Sequence, residues 1–200
     1  MLNKSLHEKR RYDYLDIFKY KRIIVIGNNG SGKSYISDKI SEITRLPVIH
    51  LDMLYWRPNW EVPSNDEWTS IQKELVEKNE WIIDGNHTTT LELRFASSDL
   101  ILFLDLNRIK CLISVLKRHS KKRIGSPEYL EYKFDKAFWA FCSRLWSFSK
   151  TRKPIILSLH KKYPDKQFFV IKKRKNANKF LRIWEEQVQQ KHSNQQGLRR

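Results

Sequence analysis

Short, continuous apolar runs alternate along the chain with segments whose apolar residues recur at helical spacing. Runs of this kind are typical of strands that are buried on both faces of a parallel sheet. In chain order they are KRIIVIG (21–27), VIHLD (48–52), WIIDG (81–85), LILFLD (100–105) and QFFVIK (167–172). Because helical segments separate these runs, the sequence predicts a three-layer α/β fold, in which a five-stranded parallel sheet carries helices on both faces.

The helical segments carry apolar stripes that we expect to face the sheet. The first segment ends before Pro47, and the second opens on a capping box formed by Ser64 and Glu67. The expected inward-facing positions are Ile36, Ile40 and Ile43, then Trp68, Ile71, Leu75 and Val76, then Ile109, Leu112, Ile113 and Leu116, and finally Ala177, Phe180, Trp184 and Val188. A further helical stretch, 127–149, is dense in aromatic residues.

A chain of 200 residues fits one domain with its own core. We expect that domain over 21–190, preceded by a basic extension at 1–20 and followed by a disordered tail at 191–200. A basic connection at 117–126 runs into the sequence Gly-Ser-Pro at 125–127. It predicts a small, mobile lid around 117–150.

The net charge of +17 favours polyanionic partners, which include nucleotides, nucleic acid and anionic surfaces. A soluble protein from a lineage with Lys-rich proteins is equally consistent with this charge. The two cysteines form no CxxC pair and the histidines are scattered, so we expect a reduced protein without a zinc site. The apolar runs are too short to cross a bilayer and the first residues lack the apolar core of a signal peptide, which predicts a cytoplasmic protein without membrane contact.

The strongest chemical signal follows the first predicted strand. The residues there complete the P-loop pattern GxxxxGK followed by Ser or Thr, between a strand and a helix, as phosphate binding requires. The predicted nucleotide-binding residues are Gly27, Asn28, Asn29, Gly30, Ser31, Gly32, Lys33, Ser34 and Tyr35. Backbone N–H groups and the start of the helix would surround the β-phosphate, Lys33 would contact the β- and γ-phosphates, and Ser34 would bind Mg²⁺. ATP and Mg²⁺ are therefore the predicted cofactors.

Three of the predicted parallel strands end in aspartate, at the sheet edge where such proteins bind ligands. Asp84 is the candidate for holding Mg²⁺ through water, and Asp52 suits the acceptor side, where it would orient a hydroxyl or contact a ribose. For Asp105 a structural or helix-capping role is the favoured interpretation. The chain carries no NKxD motif for guanine and is short for a recombinase or transporter core, which favours a kinase.

Five segments of the chain resemble the DNA topology modulation protein (FlaR-type) family, which is itself similar to adenylate-kinase-like P-loop kinases. They are IGNNGSGKS (26–34), HLDMLYWRPNW (50–60), WIIDGNH (81–87), TLELR (90–94) and LILFLDLNRIKCL (100–112). The match covers about 21–120, and the LDxxxWRPxW and WIIDGN blocks are rare outside that family. The resemblance implies a nucleoside monophosphate kinase-like fold, ATP binding and kinase activity, and the family name suggests an effect on DNA topology.

Within this resemblance the P-loop carries over completely, and Asp84 falls on the Asp-Gly of nucleotide kinases. Arg94 lies where such kinases place an arginine that clamps the acceptor phosphate. Arg118 and Arg123 lie where lid arginines would close over the transferring phosphoryl group. Two features depart from the family: His87 replaces an expected tyrosine, and the lid has the sequence KKRIGSPEYLEY instead of an arginine-rich stretch.

The aromatic loop after the second strand allows two interpretations. Trp56 and Trp60 would either line the acceptor pocket and stack on a base or sugar, or pack the loop on its own helix with Trp68. Arg57 would either bind phosphate or lie on a tryptophan face.

The sequence thus predicts an ATP-dependent kinase that transfers the γ-phosphoryl group to a nucleotide or another small hydroxyl or phosphate acceptor. Its acceptor and its oligomeric state remain open. The alternative is an ATP-binding regulator that associates with nucleic acid and influences DNA topology. The basic stretch 172–175 supports that alternative, but no nucleic-acid-binding motif accompanies it.

Overall fold

The computed structural model describes residues 16–118 and 136–197. Its five strands are all parallel and form one sheet in the order β2-β3-β1-β4-β5. The strands are β1 (Arg22–Gly27), β2 (Val48–His50), β3 (Trp81–Asp84), β4 (Leu100–Leu104) and β5 (Gln167–Ile171). This arrangement confirms the predicted α/β fold with a five-stranded parallel sheet.

Helices follow the strands and cover both faces of the sheet. They are α1 (Lys33–Thr44), α2 (Leu51–Tyr55), α3 (Asn65–Glu77), α4 (Leu91–Ser97), α5 (Arg108–Arg118), α6 (Lys136–Lys162) and α7 (Arg174–Gly197). Two short 3₁₀ helices, Ile17–Lys19 and Pro58–Trp60, lie before β1 and after α2. None of the helices in the described ranges is long and apolar enough to cross a lipid bilayer.

The central strands are buried on both faces, which explains why their sequences are continuous in apolar residues. Every residue of β3 and β4 is buried. Alternate residues of β1 enter two separate cores. Ile23 and Val25 pack with α1 and α7, while Ile24 and Ile26 pack with α3, α4 and α6.

The carboxyl ends of the parallel strands meet at one edge of the sheet. His50 at the end of β2 lies beside Asp84 at the end of β3, and Asp84 lies beside Val25 of β1. Gly27 at the end of β1 lies beside Leu104 of β4. The loop after β1 therefore emerges between two loops that carry polar residues.

The second strand is shorter than the sequence indicates. VIHLD was expected to be a strand throughout, but β2 ends at His50, and Leu51 and Asp52 begin α2. Leu51 is completely buried beneath Gly85, where an added Cβ would lie 2.9 Å from the Leu51 Cβ. This packing turns the chain into a helix and places Asp52 on its first turn.

The expected orientation of α5 is wrong. Ile109, Ile113 and Leu116, which we expected to face inward, are 53%, 46% and 44% exposed. The inward side instead carries Cys111, which is buried, and Val115, and both lie against Gly30. Because the Cys111 contact is made by its backbone carbonyl, the backbone of α5 itself packs against Gly30 and sets which side of the helix faces inward.

The last two helices are longer than expected. The stretch predicted to be helical over 127–149 is described from Lys136 onward and continues as α6 to Lys162, through Pro154. α7 extends to Gly197, into the tail that we expected to be disordered. Its predicted inner residues Ala177, Phe180 and Trp184 are buried. The lid and the basic amino-terminal extension fall largely outside the described residues and stay predictions.

The orientation of α5 can be tested with a pair of substitutions. Ile40→Ala removes a completely buried side chain, and we expect it to lower the free energy of unfolding by about 2–5 kcal/mol. Ile113→Ala removes a side chain that is 46% exposed and should cost less than about 1 kcal/mol. Chemical denaturation of both variants measures the difference. Equal costs would contradict the outward orientation of the α5 stripe.

Candidate functional site

The predicted phosphate-binding loop joins β1 to α1 at the carboxyl edge of the sheet. Gly30 and Gly32 both have positive φ angles, 78° and 94°, in the left-handed region that glycine adopts without strain. α1 begins at Lys33, and no side chain caps its first turn. Its first N–H groups therefore lack a side-chain cap and suit an anion.

The side chains of the loop are also compatible with an anion site at the start of α1. Lys33 is 9% exposed and its Nζ donates to the carbonyl of Asn28 at 3.3 Å, so it lies over the loop. Ser34 is half-buried beside it. Tyr35, also predicted to contact nucleotide, is 49% exposed.

Two asparagines fix the loop to its surroundings. The Asn86 side chain accepts from the Gly27 N–H at 3.1 Å and donates to the Gly27 carbonyl at 2.7 Å. Asn28 donates from its carboxamide to the carbonyl of Leu145 in α6 at 2.9 Å. The role of Asn86 was not visible in the sequence, although the WIIDGN block contains this residue.

The opposite side of the loop is held by α5 and α7. A Cβ on Gly30 would lie 2.3 Å from the Cys111 carbonyl oxygen, so only glycine fits there. Arg174 donates to the Gly30 carbonyl at 3.1 Å and also to the hydroxyl of Ser114. The loop is thus held by contacts with α5, α6 and α7.

Asp84 lies next to this loop and is held by His50, whose role was not visible in the sequence. His50 Nδ1 lies 3.0 Å from Asp84 Oδ2, and His50 Nε2 lies 3.0 Å from Asp38 Oδ1 in α1. Both ring nitrogens can donate only when the imidazole is protonated. The hydrogen bond to Asp84 is the main reason that the pKa of His50 is raised, and partial burial opposes it.

Two buried polar atoms beside the loop have no hydrogen-bond partner in the described structure. They are Oδ1 of Asp84 and Oγ of Ser31. Buried polar atoms are normally paired, so unpaired ones at a P-loop suit a ligand that supplies partners. Together with Lys33 and Ser34 they fit a nucleoside triphosphate and Mg²⁺. No cluster of three or more metal-binding side chains occurs in the ranges that the structure describes.

Asp52 occupies the side of the edge that was assigned to the acceptor. It is half-buried, and its Oδ1 lies 3.4 Å from Nε2 of His87. The His87 ring packs between Tyr55 and Trp68, with centroid distances of 4.5 and 4.9 Å. His87, which departs from the family pattern, thereby links the aromatic loop to Asp52.

In the aromatic loop the rings pack on one another and on α3. Tyr55 packs on Trp68 of α3, with ring centroids 5.0 Å apart, and so anchors the loop. Trp56 packs edge-on against Tyr55 and Trp60, at 5.1 and 5.4 Å, while Trp60 is 45% exposed.

Arg57 does not lie on a tryptophan face, and its phosphate-binding role stays a prediction. It forms an ion pair with Glu67 of α3 on the protein surface. This pair fastens the aromatic loop to α3.

Arg94 has a different environment from the one that its predicted role needs. Its side chain is completely buried, and it donates to the carbonyls of Gly85, Asn86 and His87 at 2.7, 2.7 and 2.9 Å. Burial lowers its pKa to about 9, although nearby Asp84 acts in the opposite direction. A guanidinium enclosed in this way holds the loop after β3 and is not presented to an acceptor phosphate.

The remaining predicted residues are described only in part. Arg118 is the last residue of α5, while its side chain and the whole of Arg123 lie outside the described structure. Their role as lid arginines stays a prediction. Asp105 accepts an ion pair from Lys153 of α6 at 2.7 Å, which agrees with the structural role favoured for it.

Comparison with known protein families finds no matching family, and comparison with curated proteins finds no match either. Among solved structures, shikimate kinase from Acinetobacter baumannii in complex with shikimate has a TM-score of 0.53 and 12% identity, and the match covers 92% of this chain and 97% of that one. Shikimate kinase from Bacteroides thetaiotaomicron has a TM-score of 0.49 and 13% identity over 85% of this chain and 99% of that one. Deoxyadenosine kinase from M. mycoides, with products bound, has a TM-score of 0.41 and 15% identity over 86% and 98%.

At these identities the likeness shows the fold alone, and it confirms that the chain has the P-loop kinase fold. The more specific resemblance to the DNA topology modulation proteins stays a prediction.

The buried state of Arg94 predicts a large loss of stability when it is replaced. We expect Arg94→Met to cost about 3 kcal/mol or more, because it leaves buried carbonyls without donors. Arg57→Met, which removes a surface ion pair, should cost less than about 1 kcal/mol. Urea denaturation measures both. If Arg94→Met unfolded like the parent chain and lost only acceptor binding, the phosphate-clamp role would be restored.

The two hydrogen bonds of His50, to Asp84 and Asp38, predict a pH-dependent contribution to stability. Its pKa is raised in the folded chain above its usual 6.5, so the contribution is complete below that value and is lost as the pH rises through the folded pKa. His50→Gln can donate only one of the two hydrogen bonds. We expect it to cost about 1–2 kcal/mol at about pH 6 and clearly less at about pH 9. A cost that did not change with pH would show that folding does not raise the pKa of His50.

Proposed function

We propose that the protein is an ATP-dependent kinase that transfers the γ-phosphoryl group to a small hydroxyl- or phosphate-bearing acceptor. One observation carries the proposal. The P-loop, Asp84 and Asp52 lie at the same edge of the sheet, with the loop between β1 and α1 and the two carboxylates on the β3 and β2 side. A nucleotide on the loop would thus have an acceptor carboxylate on one side.

The P-loop would form the nucleotide-binding side of the site. The N–H groups at the start of α1 would bind the β-phosphate, and Lys33 would leave the Asn28 carbonyl to contact the β- and γ-phosphates. Bound Mg²⁺ neutralises charge on the β- and γ-oxygens. Ser34 would ligand it directly and Asp84 through water, with His50 holding the second Asp84 oxygen.

On the acceptor side Asp52 would hydrogen-bond the attacking hydroxyl and accept its proton as the phosphoryl group transfers. His87 limits the positions that Asp52 adopts, since it bonds one carboxylate oxygen and is itself packed between aromatic rings. The exposed Trp60 would form an outer wall of this space, suitable for a sugar or base.

The lid belongs to the proposal as well. Arg118 and Arg123 would close over the phosphates, supply positive charge to the transferring group and exclude water. The likeness to shikimate kinase in complex with shikimate supports the proposal at the level of the fold, which is a fold that small-molecule kinases use.

An acceptor screen with matched variants tests this function. Purified protein and MgATP are offered nucleosides, nucleoside monophosphates and small hydroxylated metabolites, and ADP release is followed. We expect one acceptor class to raise the rate well above the acceptor-free rate, and Lys33→Ala to abolish the increase. Lys39→Ala, which removes a lysine paired with Glu42 on the outer face of α1, is the matched control and should retain activity.

A second variant separates chemistry from ATP binding. Asp52→Asn should lower kcat by about 10²–10⁴-fold, the usual loss for a general base, while the KM for ATP stays close to that of the parent chain. Full activity of Asp52→Asn would remove Asp52 from the mechanism. ATP binding without stimulation by any acceptor would instead favour the nucleic-acid-binding regulator.

A further inference from the structure

The inner face of α6 carries one arginine in a stripe that is otherwise apolar. Leu145, Phe148, Ile156 and Leu159 recur at helical spacing and are 0%, 4%, 1% and 7% exposed. Arg152 lies between Phe148 and Ile156 in this stripe, at a position where the helical spacing would place another apolar side chain. It is half-buried. A charge at such a position is costly unless something binds it.

The stripe packs on one face of the sheet, and two polar contacts bring one stretch of α6 to the carboxyl edge described above. The carbonyl of Leu145 accepts from Asn28 of the P-loop at 2.9 Å, and Lys153 pairs with Asp105 after β4 at 2.7 Å. Phe148 belongs to the same core as Leu51, the residue that precedes Asp52. The part of α6 between these contacts, which includes Arg152, therefore lies at the same edge of the sheet as the P-loop.

The charges around Arg152 do not satisfy its guanidinium. Its side chain makes no hydrogen bond and no ion pair with another residue in the described ranges. Asp52 is the acidic group close enough to influence it, and a second cation, Arg144, lies on the same helix. Burial lowers the pKa of Arg152, Arg144 acts in the same direction and Asp52 opposes both. Among the described residues that influence Arg152, two arginines near one carboxylate leave an excess of positive charge.

This excess of positive charge lies at the edge where an acceptor would be bound. Arg94 does not contribute to it. The guanidinium of Arg94 is enclosed and bonded to backbone carbonyls, so the acceptor side has no contribution from that residue. The planar fork of an arginine matches a carboxylate or phosphate through two parallel hydrogen bonds.

We propose that Arg152, assisted by Arg144, binds an anionic group on the acceptor while Asp52 binds the acceptor hydroxyl. The inference rests on the proposed kinase function and narrows the substrate class. The preferred acceptor is a hydroxylated carboxylate or a phosphorylated alcohol, and neutral sugars and nucleosides are poor substrates. The phosphoryl group passes from ATP to the acceptor hydroxyl, whose proton goes to Asp52, and ADP leaves.

The test compares neutral and anionic members of matched pairs in the ADP-release assay. The pairs are a nucleoside with its monophosphate, a sugar with its phosphate, and a hydroxy acid with its amide. We expect the anionic member to have the lower KM. Arg152→Gln should raise that KM about ten- to a hundredfold, the loss expected for a charged hydrogen-bond pair, with a far smaller change in the KM for ATP. Arg152→Lys should recover part of the loss, because it keeps the charge without the fork.

Lys150→Gln is the matched control, since it removes the same charge from the exposed side of α6 and should change neither KM. Equal use of neutral and anionic acceptors, or an unchanged acceptor KM in Arg152→Gln, would overturn the inference while leaving the kinase function intact. A rise in the KM for ATP alone would assign Arg152 to the nucleotide and overturn it as well.

A binding experiment separates failure of the inference from failure of the kinase function. With the P-loop saturated by a non-hydrolysable ATP analogue and Mg²⁺, inorganic phosphate is titrated into the parent chain, Arg152→Gln and Lys150→Gln by calorimetry. Phosphate binding that is lost only in Arg152→Gln supports the anion site even if no acceptor is phosphorylated. Equal binding by all three proteins, or none by the parent chain, counts against it.

Discussion

The buried guanidinium of Arg94 is the contact on which both sides of the site depend. It holds the carbonyls of Gly85, Asn86 and His87, and so fixes the loop that follows β3. Asn86 in that loop binds Gly27 at the start of the P-loop, and His87 bonds Asp52. The P-loop and Asp52 are thus positioned by two consecutive residues, and these in turn by one side chain in the core.

The features that the sequence predicted well are those encoded by neighbouring residues. The P-loop is a contiguous pattern whose glycines, lysine and serine define its conformation, and the structure has the expected strand before it and helix after it. The buried strands were recognisable because a parallel sheet covered on both faces requires continuous apolar runs. Ser64 caps α3 as expected, with its side chain accepting from the N–H of Glu67 at 3.2 Å.

The features that it predicted poorly depend on packing between distant parts of the chain. An arginine has the same sequence signature whether it binds phosphate in solvent or three carbonyls in the core, so the burial of Arg94 was not visible. The stripe of α5 was assigned to the wrong side because the backbone of that helix packs at Cys111 against Gly30, 81 residues earlier in the chain. His50 was missed because its two partners come from α1 and β3. In each case the deciding contact is long-range.

The reciprocal pairing of Asn86 with Gly27 has a consequence for the chemical ageing of the protein. The carboxamide uses its oxygen as acceptor and its nitrogen as donor toward one residue, at 3.1 and 2.7 Å. Spontaneous deamidation converts asparagine into aspartate, which has nearly the same shape but only acceptors when it is ionised. The Gly27 carbonyl would then face a carboxylate oxygen, and the P-loop would lose this one of its attachments while the hydrophobic cores stayed packed. An aged preparation could therefore remain folded by every measure of stability and still contain molecules whose donor site is misshapen.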